Sequence, residues 1–107
     1  MTRARHVPLD VAQDKILETA RRLDEKDRLG GLVDLPRLRA ALPFKDRALV
    51  DRALTGLHRQ GDRASLSLAN NPVGLPDGGE GGIWLPRGSD PTDRSCFYWL
   101  ALPARGA

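Results

Sequence analysis

The hydrophobic and polar positions from Phe44 to Gly61 alternate with the period of an α-helix. Apolar side chains on one side of this helix recur at spacings of three and four residues: Leu49, Val50, Ala53, Leu54 and Leu57. Asp46 lies at the expected positive end of the helix and Arg59 near its negative end, as the macrodipole prefers. Gly61 is a natural stop, because glycine adopts the left-handed conformation that closes a helix. The pattern predicts a helix over residues 45–60.

Two further helices are predicted upstream of this one. Apolar residues at helical spacing run through residues 9–26, with Asp10 as the expected N-cap. A shorter helix is predicted over residues 36–42, because proline suits the first turn of a helix and Pro43 ends it. The short apolar segment 31–35 between these helices is the expected first strand. A short helix followed by a longer amphipathic one is the helix-turn-helix pattern.

After Gly61 the period of the pattern changes to two, which is typical of half-buried strands. Ala64, Leu66 and Leu68 alternate with polar residues, so a strand is predicted there. The following residues, 70–82, are rich in Gly, Pro, Asn and Asp, and we expect them to form an irregular, mobile loop. A short strand, a turn-rich loop and a final strand are predicted next, in that order, over 83–86, 88–94 and 95–103.

The final strand carries aromatic residues on both of its predicted faces. Strict alternation places one set of side chains on one face, Cys96, Tyr98, Leu100 and Leu102, and the other set opposite, Phe97, Trp99 and Ala101. Since only one face can pack on the helices, Phe97 and Trp99 would be exposed. We expect a partner, most simply a second copy of the chain, to cover them together with Trp84. The alternative is an intrachain cover by Ile83, Trp84 and Leu85.

Length and charge narrow the class of protein. The 107 residues fit a single domain, 1–107, with residues 1–8 as a flexible arm. Residues 1–61 carry 13 Lys and Arg against 9 Asp and Glu, whereas residues 62–107 carry 4 against 5, so the helical half is basic. No apolar run is long enough to span a membrane. The single cysteine fits a reducing compartment, so a cytoplasmic protein is expected.

The residues with special chemistry form no recognisable catalytic or metal-binding pattern. His6, His58 and Cys96 are far apart and fall in no ligand spacing, so no metal or cofactor is expected. Cys96 lies in an apolar strand without a base at a fixed spacing, so a core residue is predicted there and the chain is not expected to be an enzyme. Gly56, inside the long helix, marks either a close crossing with the first helix or a tolerated irregularity.

The predicted order is helix, strand, short helix, long helix, strand, glycine-rich loop, strand, strand. This order resembles the winged helix-turn-helix superfamily over about residues 9–103, and the likeness rests on the segment DLPRLRAALPFKDRALVDRAL and the Gly61 break before an alternating strand. The resemblance implies an α+β fold of three helices with a small antiparallel β-sheet. It also implies that residues 45–60 are the recognition helix and that residues 69–95 form a long wing.

The resemblance further implies that the protein is a small transcriptional regulator that binds double-stranded DNA with the recognition helix in the major groove. A dimer is expected, because one short helix offers few base contacts. Six residues are then expected to contact DNA: Lys45, Arg47, Asp51, Arg52, Thr55 and Arg59. The wing is less suited to phosphate contact, because its arginines are balanced by acids: Asp77, Glu80, Asp90 and Asp93 against Arg87 and Arg94. The alternative is a protein-interaction winged helix that uses the wing or the aromatic C-terminal strand.

Overall fold

The computed structural model describes residues 7–103, which form an α+β fold. Its three α-helices are α1 (Leu9–Asp27), α2 (Leu35–Ala41) and α3 (Arg47–Gln60), and a short 3₁₀-helix spans Pro72–Gly74. Its four antiparallel strands are β1 (Leu32–Asp34), β2 (Ser65–Leu68), β3 (Ile83–Arg87) and β4 (Asp90–Ala101). The predicted class, with three helices and a small antiparallel sheet, is therefore confirmed for this part of the chain. The predicted arm lies outside the described residues, except for Val7 and Pro8.

The ends of α2 and α3 follow from local side-chain chemistry. The Asp34 carboxylate accepts a hydrogen bond from the Arg37 N–H, and the Asp46 carboxylate accepts one from the Leu49 N–H, both at 3.2 Å. Gly61 closes α3 with a φ of 75°, as predicted. The predicted N-cap of α1 was wrong: the cap position is Pro8, and Asp10 lies inside the first turn.

The sheet is organised around β4. On one edge β2 pairs with residues 97–101, and on the other edge β1 pairs with residues 99–101 and β3 with residues 90–97. The expected loop over residues 88–94 was wrong, because β3 and β4 form a hairpin with only Gly88 and Ser89 in the turn. Gly88 has a φ of 68°, which suits a tight turn, and cross-strand pairing overrides the turn-rich composition that follows it.

A β-bulge in β4 changes the predicted faces of this strand. Ser67 pairs with Trp99 and Leu68 with Phe97, so Tyr98 is an extra residue opposite β2. An extra residue reverses the alternation of side chains. Phe97 therefore packs against the same core as Leu100, although strict alternation placed these two residues on opposite faces. That prediction was wrong because it assumed an unbroken period of two.

Two hydrophobic clusters lie on the two sides of the sheet. The larger one joins the helices to the inner face, and its fully buried members include Ile16, Leu38, Leu54, Leu57 and Leu100. The smaller one holds Ala69, Cys96 and Tyr98 on the outer face, with Leu75 and Trp99 against it. The glycine-rich segment thus supplies part of the cover of the sheet.

The crossing of α1 and α3 explains Gly56. A Cβ atom at this position would lie 2.6 Å from Gln13 Nε2. The Gln13 amide is held in place, because it donates to the Ala53 carbonyl and accepts from Arg63. Of the two alternatives for Gly56, the structure supports the close crossing.

Candidate nucleic-acid interface and glycine-rich loop

The outer face of α3 carries two exposed cations that have no partner among the described residues. Arg52 and Arg59 are both exposed, and neither forms an ion pair or a hydrogen bond with another described residue. They are seven positions apart, so they lie on the same side of the helix. Residues 39–60 contain five Lys and Arg against two Asp, which is a balance of +3 and equals the net charge of the whole chain. Positive charge is therefore concentrated on α3 and the segment before it.

Two of the other residues expected to contact DNA have roles within the chain. The Lys45 ammonium donates to three backbone carbonyls at the end of α2, those of Arg39, Ala40 and Leu42, at 3.2, 2.9 and 2.9 Å. Such an ammonium satisfies carbonyls that have no partner inside the helix. The Thr55 hydroxyl donates to the Asp51 carbonyl at 2.7 Å. Lys45 thus caps α2, and Thr55 bonds its own helix.

Asp51 lies between two arginines. Its carboxylate is 2.7 Å from Arg39 Nη2 and 3.6 Å from Arg47 Nε. The Arg39–Asp51 contact is an ion pair whose angles fall outside those of a hydrogen bond, and Arg39 Nη1 is buried without a partner in the described part of the chain. The Arg39 side chain is only 17% exposed, so its charge depends on Asp51 more than a surface charge would.

The same two arginines hold the glycine-rich loop. Arg39 Nε donates to the Gly81 carbonyl at 2.8 Å, and Arg47 Nη2 donates to the carbonyls of Gly82 and Glu80. Three successive carbonyl groups of the loop therefore face guanidinium groups of α2 and α3. We call this set the arginine clasp: Arg39, Arg47 and Asp51 with the carbonyls of residues 80–82.

Asp77 fixes the loop from within. Its carboxylate accepts hydrogen bonds from the N–H groups of Gly79 and Gly81, each at 2.9 Å, and from the Tyr98 hydroxyl at 3.1 Å. Burial opposes the charged form of Asp77, but these hydrogen bonds outweigh it, and its pKa lies below the ordinary value. The loop was expected to be mobile, yet these contacts and the arginine clasp attach it to three other elements of the fold.

Tyr98 provides a direct test of this arrangement, because it is the only tyrosine of the chain. Burial, followed by the hydrogen bond to Asp77 and the charge of Asp77, raises the pKa of Tyr98 from 10.0 to about 12. The folded state keeps the phenol protonated, so this stabilisation is present below pH 10 and is lost as the pH rises through 12. Near-ultraviolet absorbance should show tyrosinate forming near pH 12 in the native protein, well above its pKa in denaturant. A native transition at the ordinary value would contradict this geometry.

Cys96 lies against the same loop. Its thiol is 3.8 Å from the Gly79 carbonyl, and the residue is only 2% exposed. Burial, and secondarily the charge of Asp77, raises the pKa of this thiol. A buried, protonated thiol is a poor nucleophile, so its chemistry is that of a small core residue.

The three aromatic residues expected at a partner interface have different surroundings. Phe97 is half-buried in the larger core, and its ring centroid is 5.3 Å from that of His58. Trp99 is also half-buried and lies edge-on to Tyr98. Trp84 is 39% exposed, with its indole N–H donating to the Gly79 carbonyl at 3.1 Å. Intrachain packing thus covers much of Phe97 and Trp99, which leaves Trp84 as the most exposed of the three.

Sequence reasoning missed Arg39 and Asp77 as organising residues. Asp77 had a local signal, since an aspartate two residues before a glycine commonly bonds the backbone of its own turn. Arg39 had none, because its carbonyl partners lie more than forty positions further along the chain.

Neither a group of metal ligands nor a membrane-spanning helix is found in the part of the chain that the structure describes. Between residues 7 and 103, no three His, Cys, Asp or Glu side chains are grouped so that they could hold a metal ion. None of the helices within that range is long and apolar enough to cross a membrane. Comparisons of the chain with protein-family models, with curated proteins and with solved structures find no match.

Proposed function

We propose that the chain is a winged helix-turn-helix domain that binds double-stranded DNA through the outer face of α3, as a small transcriptional regulator does. The single observation that carries this proposal is the pair of exposed arginines, Arg52 and Arg59, without partners among the described residues. The order of the elements supports it, since β1 precedes α2 and α3, and the β3–β4 hairpin takes the place of a wing.

The spacing of Arg52 and Arg59 along α3 suits contact with the major groove of DNA. Seven residues of helix correspond to a rise of about 10 Å, so the two guanidinium groups reach successive positions along the duplex. Guanidinium groups bind phosphate oxygens and the guanine edge in the major groove. Between the two arginines on this face lies only the short side chain of Thr55, which allows close approach of the helix.

The other residues predicted to contact DNA contribute less to the affinity in this proposal. Lys45 and Asp51 hold the fold together, and DNA contact would compete with those bonds. The Arg47 side chain is 51% exposed while it bonds the loop, so it presents some positive charge to the same surface. We therefore assign most of the affinity to Arg52 and Arg59.

The hairpin tip adds little positive charge. Arg87 Nε lies 3.3 Å from Asp93, and Asp90 bonds Thr92 within the same tip. With few contacts from the wing, one α3 helix offers a small interface, and a dimer that reads two half-sites would supply the rest. Dimerisation is part of the proposal.

The test compares two double variants with equal loss of charge. Arg52→Ala with Arg59→Ala should weaken binding to fragments of genomic duplex DNA by about 1–3 kcal/mol for each bidentate contact and should reduce the salt dependence of the affinity. Arg21→Ala with Arg22→Ala removes two exposed arginines from α1 instead and should retain most of the affinity. Fluorescence anisotropy at two salt concentrations measures both. If the folded α3 variant binds as tightly as wild type, α3 is not the reading helix.

A further inference from the structure

A groove lies between the end of β2 and the β3–β4 hairpin, away from the arginine clasp. It is open to solvent and has a volume of about 280 Å³. Leu68 and Trp84, both among its lining residues, are 44% and 39% exposed. Pro72 also lines the groove. These residues form an apolar surface that the described part of the chain leaves uncovered.

Both charged residues that line this groove are arginines, and acidic residues lie beside them at the hairpin tip. Arg87 and Arg94 are among its lining residues, and no aspartate or glutamate is. Arg87 pairs with Asp93, but both side chains are more than half exposed, and such a pair is worth little in water. An incoming carboxylate can therefore exchange with Asp93 at small cost.

Trp84 is already oriented for contact. Its indole N–H is held by the Gly79 carbonyl, and its ring lies against Gly79, where an added Cβ would be 3.1 Å from Trp84 Cζ2. A side chain fixed before binding loses little rotamer entropy when a ligand arrives. An exposed tryptophan in a concave surface is also the residue type that most often anchors a partner.

We infer that this groove binds an extended peptide segment of a partner protein, with an apolar side chain against Trp84 and Leu68 and an acidic side chain facing Arg87 and Arg94. This surface is separate from the outer face of α3, so the protein would hold a partner and DNA through different residues.

The chemistry of the lining favours a peptide over the other possible occupants. Leu68, Ala69 and Pro72 give the groove an aliphatic surface, which suits the apolar side chain of a peptide. The acids at the hairpin tip, Asp90 and Asp93, would repel a continuous phosphate chain, whereas a peptide can place a single carboxylate between the arginines.

To test this inference, a phage-displayed library of random ten-residue peptides is selected for binding to the immobilised full chain. Enriched peptides are then synthesised with a fluorescent label and titrated against four proteins: wild type, Arg87→Glu, Leu68→Asp and the α1 control Arg21→Glu. Both groove positions are exposed, so these changes should preserve the fold, which circular dichroism checks. We expect enriched sequences to combine Asp or Glu with an aliphatic or aromatic residue. Arg87→Glu and Leu68→Asp should each weaken binding at least tenfold, and Arg21→Glu should leave it unchanged.

Several results would overturn the inference. Selection that yields the same peptides on Leu68→Asp as on wild type would show that the groove is not the binding surface. Enriched peptides without acidic residues would remove the role of the arginines. Binding of a labelled ten-nucleotide thymidine strand that Arg87→Glu abolishes would assign the groove to nucleic acid. A wild-type dimer that Leu68→Asp dissociates in sedimentation would assign it to a second copy.

Discussion

Replacing Asp51 by alanine is expected to lower the free energy of unfolding by about 2–3 kcal/mol, although Asp51 lies on the outer side of α3. The change removes the carboxylate that neutralises Arg39 and Arg47. Arg39 is largely buried by the fold and would keep its charge without a neighbouring carboxylate, which costs more than losing a surface pair. The two arginines would also be less well positioned for the loop carbonyls that they bond.

Two measurements separate this effect from a general loss of helix stability. Urea denaturation gives the change in free energy, and native-state hydrogen exchange at the Gly79 and Gly81 amides reports whether the loop opens. Asp62→Ala is the matched control, because Asp62 is exposed and has no hydrogen bond or ion pair with a described residue. It should change stability by less than about 0.5 kcal/mol. Full stability and unchanged exchange in the Asp51 variant would show that the arginine clasp does not hold the loop.

Replacing Gly82 by alanine should destabilise the protein by about 2–3 kcal/mol through steric overlap. An added Cβ would lie 2.8 Å from the Phe97 carbonyl oxygen and 2.9 Å from Cys96 Sγ. The carbonyl belongs to the central strand and the thiol is buried, so neither can move without disturbing the sheet. The loop must instead shift away from β4, which strains the carbonyl contacts of the arginine clasp.

Gly78→Ala in the same loop is the control for backbone effects. An added Cβ there meets no atom within 4 Å, but the φ of 65° disfavours any residue with a side chain. That conformation costs about 1 kcal/mol in a residue with a side chain. The free energy of unfolding, measured with urea, should therefore be higher for Gly78→Ala than for Gly82→Ala. Equal losses in the two variants would mean that backbone conformation, rather than contact with β4, explains the glycines.

The helical layer was predictable from the sequence because its signals are local. Apolar residues every three or four positions defined the buried side of α3, and Asp46 and Gly61 marked its ends. The +3 balance of residues 39–60 likewise comes from composition alone. A periodic pattern does not show which polar side chains bond each other across the fold. The partner of Arg39 in α2 is Asp51 in α3, and Arg39 also bonds the Gly81 carbonyl, 42 residues further along the chain.

The sheet was less predictable for two physical reasons. A single extra residue, Tyr98, reversed the faces of β4, and no sequence signal distinguishes a bulge residue from its neighbours. The segment after Gly88 resembles a loop in composition, but pairing with β3 makes it a strand. The glycines of the loop were also ambiguous, because glycine is used both where a chain moves and where it passes too close to another atom for a Cβ.

The central position of β4 has a consequence for how the protein is made. Each of the other three strands pairs with β4, and β4 is the last strand along the described chain. Val33 in β1, for example, pairs with Leu100 in β4, which is synthesised 67 residues later. On the ribosome, α1, α2 and α3 can associate as soon as they emerge, whereas no strand pairing of this sheet can form until β4 has left the exit tunnel. The helices therefore assemble during synthesis, and the sheet closes in one late step dominated by contacts distant in sequence.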